Sequence, residues 1–352
     1  MNFNYMTSLT LRIASGVERL DLQYRQNIAE FTRTFQTEDG GFAGRRGQGD
    51  IYYTSFALRT LMLLGELKND LLAERAIAFL ESFAAKRLQL APSRGEELNL
   101  TADLENASAV KACFSLSSVE LASFMISATL LQLATGRDVF DLLPLDRKSF
   151  VTASLARLRL PASGYRSSEK SGVAGIYHTF LAMICRELVM SIPDEKERNE
   201  LAAFLSQHIR EDGGFVEMLP LRTSGTNPTA AGVALMRILR QCDSQIAASF
   251  DSVRTKQFLL DRQSPTGGFS AHAGLPIPDL LSTFSAVVTL LDLDDWQSTD
   301  TIDIQSLDVF RHSCQFGNGY KGGSLDDTAD VEYTFYGLAL DSILRMQESF
   351  YS

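Results

Sequence analysis

The sequence predicts an all-α protein in which about six helical hairpins form a closed ring. A short glycine and aromatic segment recurs along the chain, and a Thr that begins an apolar run follows it at a nearly constant distance. Apolar runs also alternate with amphipathic ones, which indicates how the helices are arranged. Length alone leaves one or two domains open. The repeats predict a single domain over residues 1–352.

The recurring segment is a Gln followed by Gly-Gly-Phe, which we interpret as the end of one helix and the turn after it. Adjacent glycines permit the positive φ that such a helix end or tight turn requires. A Gly-Tyr variant replaces Gly-Gly-Phe in the last copy, and a further Gly-Tyr lacks the Gln. The copies run over 36–42, 207–215, 263–269 and 315–320, with the shorter one at 164–165.

A Thr follows four of the aromatic residues at a separation of fourteen and begins an apolar run. Each predicted helix start carries an Asp or Gly four residues before the Thr, where an acid suits the positive end of a helix dipole. A degenerate copy over 118–135 fills the gap between Thr54 and Thr179. We therefore place repeats near 20–67, 70–136, 145–190, 195–241, 252–293 and 303–346.

The runs after each Thr, such as TFSAVVTLLDL, are apolar nearly all round, whereas the preceding runs, such as ERAIAFLESFAAKRL, are amphipathic. A helix that is apolar on every side is buried on every side. This contrast predicts an inner ring of helices inside an outer ring, which is an α/α toroid (α6-α6 barrel). An open α-solenoid is the alternative, and the complete burial of the inner helices favours closure.

Composition limits the partners and the compartment. Thirty-three basic against forty-three acidic side chains give a net charge of −10, which argues against a nucleic-acid partner. The start of the chain has no basic region before an apolar run, and no stretch looks long enough to span a bilayer. We expect a cytoplasmic protein whose first helix begins near residue 6. The widely spaced Cys113, Cys185, Cys242 and Cys314 are interpreted as reduced core residues.

The Gln to Gly-Gly-Phe segment followed by an Asp-x-x-x-Thr helix start resembles the β subunits of protein prenyltransferases. The Rab geranylgeranyltransferase type is the most similar in pattern, and the squalene cyclases are more distant. The resemblance covers most of the chain. It implies an apolar, aromatic-lined central cavity for an isoprenoid or isoprenoid diphosphate. Eukaryotic members act with a helical α subunit, and the resemblance leaves both a chain with such a partner and a chain without one as alternatives.

The transferase resemblance implies a zinc site built from Asp-x-Cys at the start of the fifth inner helix and a His before the Thr of the sixth. Asp279 matches, but Leu281 and Tyr333 stand at the Cys and His positions. We therefore expect no zinc. Ala273 and Pro276 stand where the family has diphosphate-binding cations, so loop cations would have to replace them. Those available are Arg45, Arg46, Arg166, Lys170, Arg222, His272 and Lys321.

Class II terpenoid cyclases share this toroid without zinc, and the resemblance implies an Asp of a DxDD motif that protonates an alkene. The segment from Asp292 to Asp295 has this pattern, but it follows the fifth inner helix, and we interpret it as a non-catalytic surface loop. The segment SLDDTA, with Asp326 and Asp327, also resembles the acid motif. It precedes Asp330 and Glu332 at the start of the sixth inner helix.

Three hypotheses remain open: a zinc-independent, prenyltransferase-like enzyme, a single-domain class II cyclase, and a non-catalytic lipid carrier or scaffold. Carbocation chemistry needs aromatic faces, each of which stabilises a cation by about 0.5–2 kcal/mol. His178 matches the transferase His-Thr pair in the wrong repeat and is interpreted as a hydrogen-bonded wall residue. The candidate catalytic acids are Asp279, Asp330, Glu332, Asp326 and Asp327. The candidate substrate-binding residues are Tyr52, Tyr53, Tyr177, His178, Phe284, Tyr333, Tyr336, Arg45 and Arg46.

Overall fold

The structure, a computed structural model, describes residues 4–87, 116–143, 145–242, 250–296 and 302–348. In these ranges the chain forms thirteen α-helices and three short antiparallel strand pairs. The helices are α1 (Tyr5–Val17), α2 (Leu22–Arg33), α3 (Ile51–Leu63), α4 (Leu71–Arg87), α5 (Ser118–Thr135), α6 (Arg147–Leu158), α7 (Ile176–Leu188), α8 (Glu195–His208), α9 (Thr226–Cys242), α10 (Ser252–Leu260), α11 (Leu280–Leu293), α12 (Ile304–Cys314) and α13 (Val331–Glu348).

The strands lie in the turns between an outer helix and the inner helix that follows it. Each pair is antiparallel, and a 3₁₀-helix at Val139–Leu142 lies between α5 and α6. The pairs are β1 (Tyr165–Arg166) with β2 (Ala174–Gly175), β3 (Ser270–His272) with β4 (Leu275–Pro278), and β5 (Gln315–Phe316) with β6 (Gly319–Tyr320).

Six inner helices form a closed ring. Helices α3, α5, α7, α9, α11 and α13 contact one another in that order, and α13 packs back against α3. Each is preceded along the chain by an outer helix that packs against it: α2, α4, α6, α8, α10 and α12. The predicted all-α toroid is therefore confirmed, and the degenerate second copy forms the inner helix α5. Because each hairpin reverses the chain, the starts of the inner helices meet at one end of the ring, which we call the rim.

A hydrogen bond explains the nearly constant spacing between the aromatic residue and the Thr. The amide of Phe269 donates to Thr283 Oγ1 at 2.9 Å, and that hydroxyl donates to the carbonyl of Asp279 at 2.6 Å. One Thr thus ties the turn to the first turn of its inner helix. The same amide-to-hydroxyl bond joins Phe42 to Thr54, Tyr165 to Thr179, Phe215 to Thr229 and Tyr320 to Thr334, at 2.8 to 3.0 Å.

The first glycine of the turn is required by its backbone and by its surroundings. Gly267 has φ +95°, and a Cβ there would lie 1.8 Å from the carbonyl oxygen of Ser306 at the start of α12. Gly40 and Gly213 also have positive φ, as the sequence predicted. The turn therefore packs directly against the backbone of the next outer helix, which a side chain would prevent.

Helix α1 covers the end of the ring opposite the rim. Its Tyr5 hydroxyl donates to Asp292 Oδ2 at 3.0 Å, and the Tyr5 amide donates to Glu187 Oε1 at 3.0 Å. Gly16 lies against Ser342 so closely that a Cβ would be 2.1 Å from its carbonyl oxygen. Asp292 and Glu187 belong to the last turns of α11 and α7, and Ser342 belongs to the second half of α13, so α1 closes this end.

The DxDD segment lies at this closed end and is not the surface loop that we expected. Asp292 is buried and accepts from both the Tyr5 hydroxyl and Trp296 Nε1, the latter at 2.7 Å. Asp294 pairs with Lys256 at 2.6 Å, and Asp295 pairs with Arg237 at 3.0 Å. The expectation was wrong for Asp292 because α1 folds over it, a contact that local sequence does not encode.

Two further expectations need correction. Helix α5 has 18 residues and is apolar enough to cross a membrane by length and composition, so the prediction that no stretch has that length was wrong. Half of it is buried, and it packs between α3 and α7 in the ring. Cys185 and Cys314 are buried free thiols, whereas Cys242 is only partly buried. Cys113 lies outside the described residues.

Candidate functional site

The rim carboxylates Asp50, Asp279 and Asp330 cap inner helices. Asp50 Oδ1 accepts from the amide of Tyr52 at 2.8 Å, and Asp330 Oδ1 accepts from the amide of Tyr333 at 2.9 Å. Asp279 accepts from both the amide and the hydroxyl of Ser282, each at 2.7 Å. Burial raises the pKa of Asp279 and Asp330, while these hydrogen bonds oppose the rise. Two of the candidate catalytic acids therefore hold helix starts in place.

Helix α7 is preceded by Gly175, which has no side chain to cap it, and the neighbouring repeat supplies the cap. The carbonyl of Glu217 accepts from the amide of Ile176 at 2.9 Å, and its Oε2 accepts from the amide of Tyr177 at 3.2 Å. Burial raises the pKa of Glu217 to about 7. Sequence reasoning missed this residue because the partners are forty positions apart, although the missing acid at Gly175 was a signal.

Arg45, a candidate cation for diphosphate binding, forms ion pairs with two carboxylates. Its guanidinium pairs with Asp326, and its Nε lies 3.2 Å from Asp330 Oδ2. Asp326 also accepts from the amide of Gly322 at 3.2 Å, and although burial opposes it, the Arg45 guanidinium leaves the Asp326 pKa lowered. Arg46 and Asp327 are exposed. The structure thus joins Asp326, Asp330 and Arg45 into one ion-pair network at the rim.

Glu332 is the partly buried candidate acid that has no ion-pair partner among the described residues. The Tyr52 hydroxyl donates to its Oε1 at 2.5 Å. Burial raises the pKa of Glu332, and this hydrogen bond acts in the opposite direction. Within the described part of the chain, Glu332 forms no ion pair. Two neighbouring inner helices, α3 and α13, therefore hold a partly buried carboxyl group and a phenol side by side.

Below the rim, aromatic side chains from three consecutive inner helices pack on one another. Phe56 of α3 lies edge-on to Phe335 and Tyr336 of α13, with ring centroids 5.5 and 5.4 Å apart. Phe284 of α11 lies 6.0 Å from Phe335 and 5.1 Å from Tyr336. We call these four side chains the aromatic cluster. Two of them, Phe284 and Tyr336, were candidate substrate-binding residues.

Tyr177 approaches this group from across the ring. Its helix, α7, is separated from α3 by α5, yet the charges of Arg59 and Glu332 act on its phenol, and burial raises its pKa to about 12. Tyr177 nevertheless keeps 38% of its surface accessible. Because Tyr177 lies in the first turn of α7, this accessible surface borders an open space at the rim end of the ring.

The remaining candidates lie in the first turns of inner helices, at the rim. His178 Nδ1 shares a 2.8 Å hydrogen bond with Ser118 Oγ, and burial lowers its pKa. His178 is therefore hydrogen-bonded to its neighbour in α5, and its role in lining a cavity stays a prediction. Tyr53 packs edge-on to Tyr52 with ring centroids 5.3 Å apart, and Tyr333 lies against Gly322 in the rim loop.

Arg59 is a site residue that the sequence interpretation did not identify. It is the one charged residue in 51–63, and we took that run simply as apolar. Its guanidinium carbon lies 4.2 Å from the Phe56 ring centroid and 4.6 Å from that of Phe335. The signal that could have found it was a lone charge within an otherwise apolar inner helix.

Comparison with known proteins agrees with this architecture. The family model described as "Prenyltransferase alpha-alpha toroid domain" matches residues 1–97, 104–276 and 250–351. The chain belongs to this prenyltransferase toroid family. A comparison of this sequence with curated proteins finds no match.

Solved structures share the fold at low sequence identity. Candida albicans protein geranylgeranyltransferase-I complexed with GGPP is 15% identical, with a TM-score of 0.64 and 92% of each chain covered. Type II terpene cyclase MstE from Scytonema is 13% identical, with a TM-score of 0.52 over 94% of this toroid and 99% of the cyclase.

An inactive variant of the α-1,6-mannanase GH76A of Salegentibacter, in complex with α-1,6-mannotriose, is 13% identical. Its TM-score is 0.54, over 92% of this toroid and 99% of the mannanase. At such identities the likeness establishes the fold alone. Because transferase, cyclase and glycosidase all have this fold, the side chains of the site have to indicate the reaction.

Proposed function

We propose that this toroid binds an isoprenoid chain in its interior and acts on an isoprenoid diphosphate as a zinc-independent, prenyltransferase-like enzyme. The observation that carries the proposal is the aromatic cluster of Phe56, Phe284, Phe335 and Tyr336 beside the space bordered by Tyr177. Apolar and aromatic walls with few polar groups are typical of sites for apolar ligands. A polyene chain buried there is stabilised by about 25 cal/mol for each Å² removed from water.

Two structural neighbours support the choice of an isoprenoid. The geranylgeranyltransferase-I structure contains GGPP, and a variant of the terpene cyclase MstE, 12% identical with a TM-score of 0.53, was solved with geranylgeranyl dihydroxybenzoate. Both ligands carry a geranylgeranyl chain. The mannanase holds a sugar in the same fold, but sugar sites need many hydrogen-bonding groups, and the aromatic cluster provides few.

The residues at the expected zinc position do not fit a zinc ion. Both carboxylate oxygens of Asp279 are engaged by Ser282, and Leu281 has no donor atom. Tyr333 packs its ring against Gly322 in the rim loop. Among the described residues, no group of three His, Cys, Asp or Glu side chains could hold a metal. We therefore propose a reaction without zinc and derive no step through it.

A class II cyclase is the second candidate, because Glu332 has the environment of a proton donor. A carboxyl group with a raised pKa and no cation partner keeps its proton to higher pH and can donate it. The other candidate acids fit less well: Asp326 and Asp330 pair with Arg45, Asp279 caps α11, and Asp327 is exposed. In this reading Glu332 protonates an alkene and Tyr52 positions it.

Product analysis with farnesyl and geranylgeranyl diphosphate separates these candidates. Each substrate is incubated with the wild-type protein, with and without a thiol peptide acceptor and a metal chelator. A transferase releases pyrophosphate and forms a thioether, and the chelator has no effect. A cyclase forms a cyclic product that keeps its diphosphate, and Glu332→Gln abolishes it while the exposed control Asp327→Asn does not. Binding without turnover would overturn both and favour the non-catalytic carrier.

A further inference from the structure

Arg59 places a positive charge inside the ring, well below the rim. It follows the cap residue Asp50 by nine positions, about 13 Å along the helix axis. Side chains on a helix lean toward its N-terminus, so the guanidinium lies back over Phe56. There it contacts the ring of Phe335 on α13, and it lies close enough to Tyr177 on α7 to affect that phenol electrostatically. The charge therefore lies beside the aromatic cluster and near Tyr177.

The hydrogen-bonding groups of Arg59 are largely unused. A guanidinium has five N–H donors. The described residues offer one weak acceptor, the carbonyl of Ser55 at 3.4 Å from Nε, and they form no ion pair with Arg59. The Nη atoms thus have no acceptor in the described structure, although the residue keeps part of its surface accessible.

Other buried or partly buried arginines of this protein have carboxylate partners. Arg311 pairs with Asp308 at 2.9 Å, Arg147 with Asp138 at 2.8 Å, and Arg186 with Glu197 at 2.7 Å. An unpaired charge removed from water costs several kcal/mol. Contacts with two aromatic rings recover about 0.5–2 kcal/mol each, but they supply no hydrogen-bond acceptor. The nearby carboxyl group of Glu332 is engaged by Tyr52 instead.

We propose that Arg59 binds the oxyanion of an acidic head group, a phosphate or a carboxylate, on the apolar substrate that enters the ring. The inference rests on the proposed function, since it needs the interior to admit that substrate. A planar guanidinium binds either oxyanion through two parallel hydrogen bonds. A carbocation formed beside Arg59 would be repelled by it, so the head group and not the reacting carbon belongs at this depth.

Calorimetry with matched neutral and anionic ligands tests the assignment. Farnesol is compared with farnesyl diphosphate and with farnesoic acid, and dodecanol with laurate. The proteins are wild type, Arg59→Met and the control Arg262→Met, whose guanidinium lies 4.9 Å from the Phe258 ring on an outer helix. We expect Arg59→Met to weaken anion binding about 10- to 100-fold and to leave the two alcohols unchanged. Arg262→Met should change neither the affinity for the anions nor the affinity for the alcohols.

The ligand pairs separate the two proposals. One outcome is that farnesol, farnesyl diphosphate and farnesoic acid bind wild type with equal affinity and that Arg59→Met changes none of these affinities. The oxyanion site is then overturned while isoprenoid binding stands. If laurate binding depends on Arg59 but no isoprenoid binds, the proposed function fails while the oxyanion site stands. If neither pair binds wild type, both fail. Stronger loss for farnesyl diphosphate than for farnesoic acid identifies phosphate as the head group, and the reverse identifies carboxylate. Urea unfolding confirms that each variant is folded.

Discussion

The Tyr52 hydroxyl and the carboxyl group of Glu332 form a 2.5 Å hydrogen bond across the seam where the ring closes. Tyr52 belongs to the first inner helix and Glu332 to the last, so this contact exists only when α13 has packed against α3. Closure of the ring and assembly of the candidate proton donor are therefore one structural event. This bond leads to the first prediction.

Replacing Tyr52 by Phe should raise the pKa of Glu332. The phenol now donates to the carboxylate and stabilises its charged form, while burial favours the neutral form. Titration of 13C-labelled glutamate by NMR measures the change, and the Glu332→Gln variant identifies the signal. Tyr53→Phe is the control, because its amide and not its hydroxyl makes the hydrogen bond to Asp50. An unchanged Glu332 pKa in Tyr52→Phe would contradict the structure.

Thr283→Val should destabilise the fold through the turn before α11. The variant leaves the buried amide of Phe269 without an acceptor, which costs about 1–3 kcal/mol. Thr283→Ser keeps the hydroxyl and removes one methyl group, for a loss of about 0.8 kcal/mol. Urea unfolding of both variants measures the difference. Equal losses in the two variants would mean that packing and not the hydrogen bond fixes the spacing.

Glu217→Gln should make the free energy of unfolding less dependent on pH. The folded pKa of Glu217 is raised from 4.5 to about 7, so the folded state binds more protons than the unfolded state between these values. Stability is therefore lost as pH rises through this window, and it stays low above pH 7. Gln keeps an acceptor for the amide of Tyr177 without the charge.

Because the Glu217 carboxyl keeps some accessible surface, we expect Gln to stabilise by about 1–2 kcal/mol at pH 8 and by much less at pH 4.5. The free energy of unfolding of both proteins, measured at the two pH values, checks this. The comparison cancels the contributions of the other raised carboxyl groups. The same pH dependence in both proteins would show that Glu217 does not titrate in this window.

Tyr5→Phe should loosen helix α1 at the closed end of the ring. The variant removes the donor to Asp292 Oδ2 and leaves Trp296 as a donor to Oδ1. We expect a loss of about 1 kcal/mol and faster hydrogen exchange in α1. Tyr333→Phe is a matched control, since its hydroxyl forms no hydrogen bond with the described residues. Unchanged exchange in Tyr5→Phe would mean that packing alone holds α1.

Sequence patterns predicted the helices and the turns because both depend on residues close in the chain. Thr283 lies fourteen residues from Phe269, and one repeat contains every partner that fixes this turn. Helix α5 was predicted from its apolar run alone, and its capping box at Ser117 and Glu120 is also local. The acid before each Thr was correctly interpreted as a helix cap at Asp50, Asp279 and Asp330.

The same patterns could not say which charged residues are free to act. Arg45 and Asp330 are 285 positions apart, yet they form an ion pair. Glu217 caps a helix forty positions earlier, and α1 buries Asp292 from the other end of the chain. Each pairing depends on side chains that only the closed ring brings together.

The amino-acid sequence specifies the helical hairpins, because periodicity, turn glycines and a Thr hydrogen bond all act within one repeat. The folded ring adds that Arg45, Asp326 and Asp330 form one ion-pair network, that Tyr52 donates to Glu332, and that Arg59 has no carboxylate partner among the described residues. A charge is free or paired according to its neighbours in space. In a closed ring those neighbours come from helices far apart in the chain.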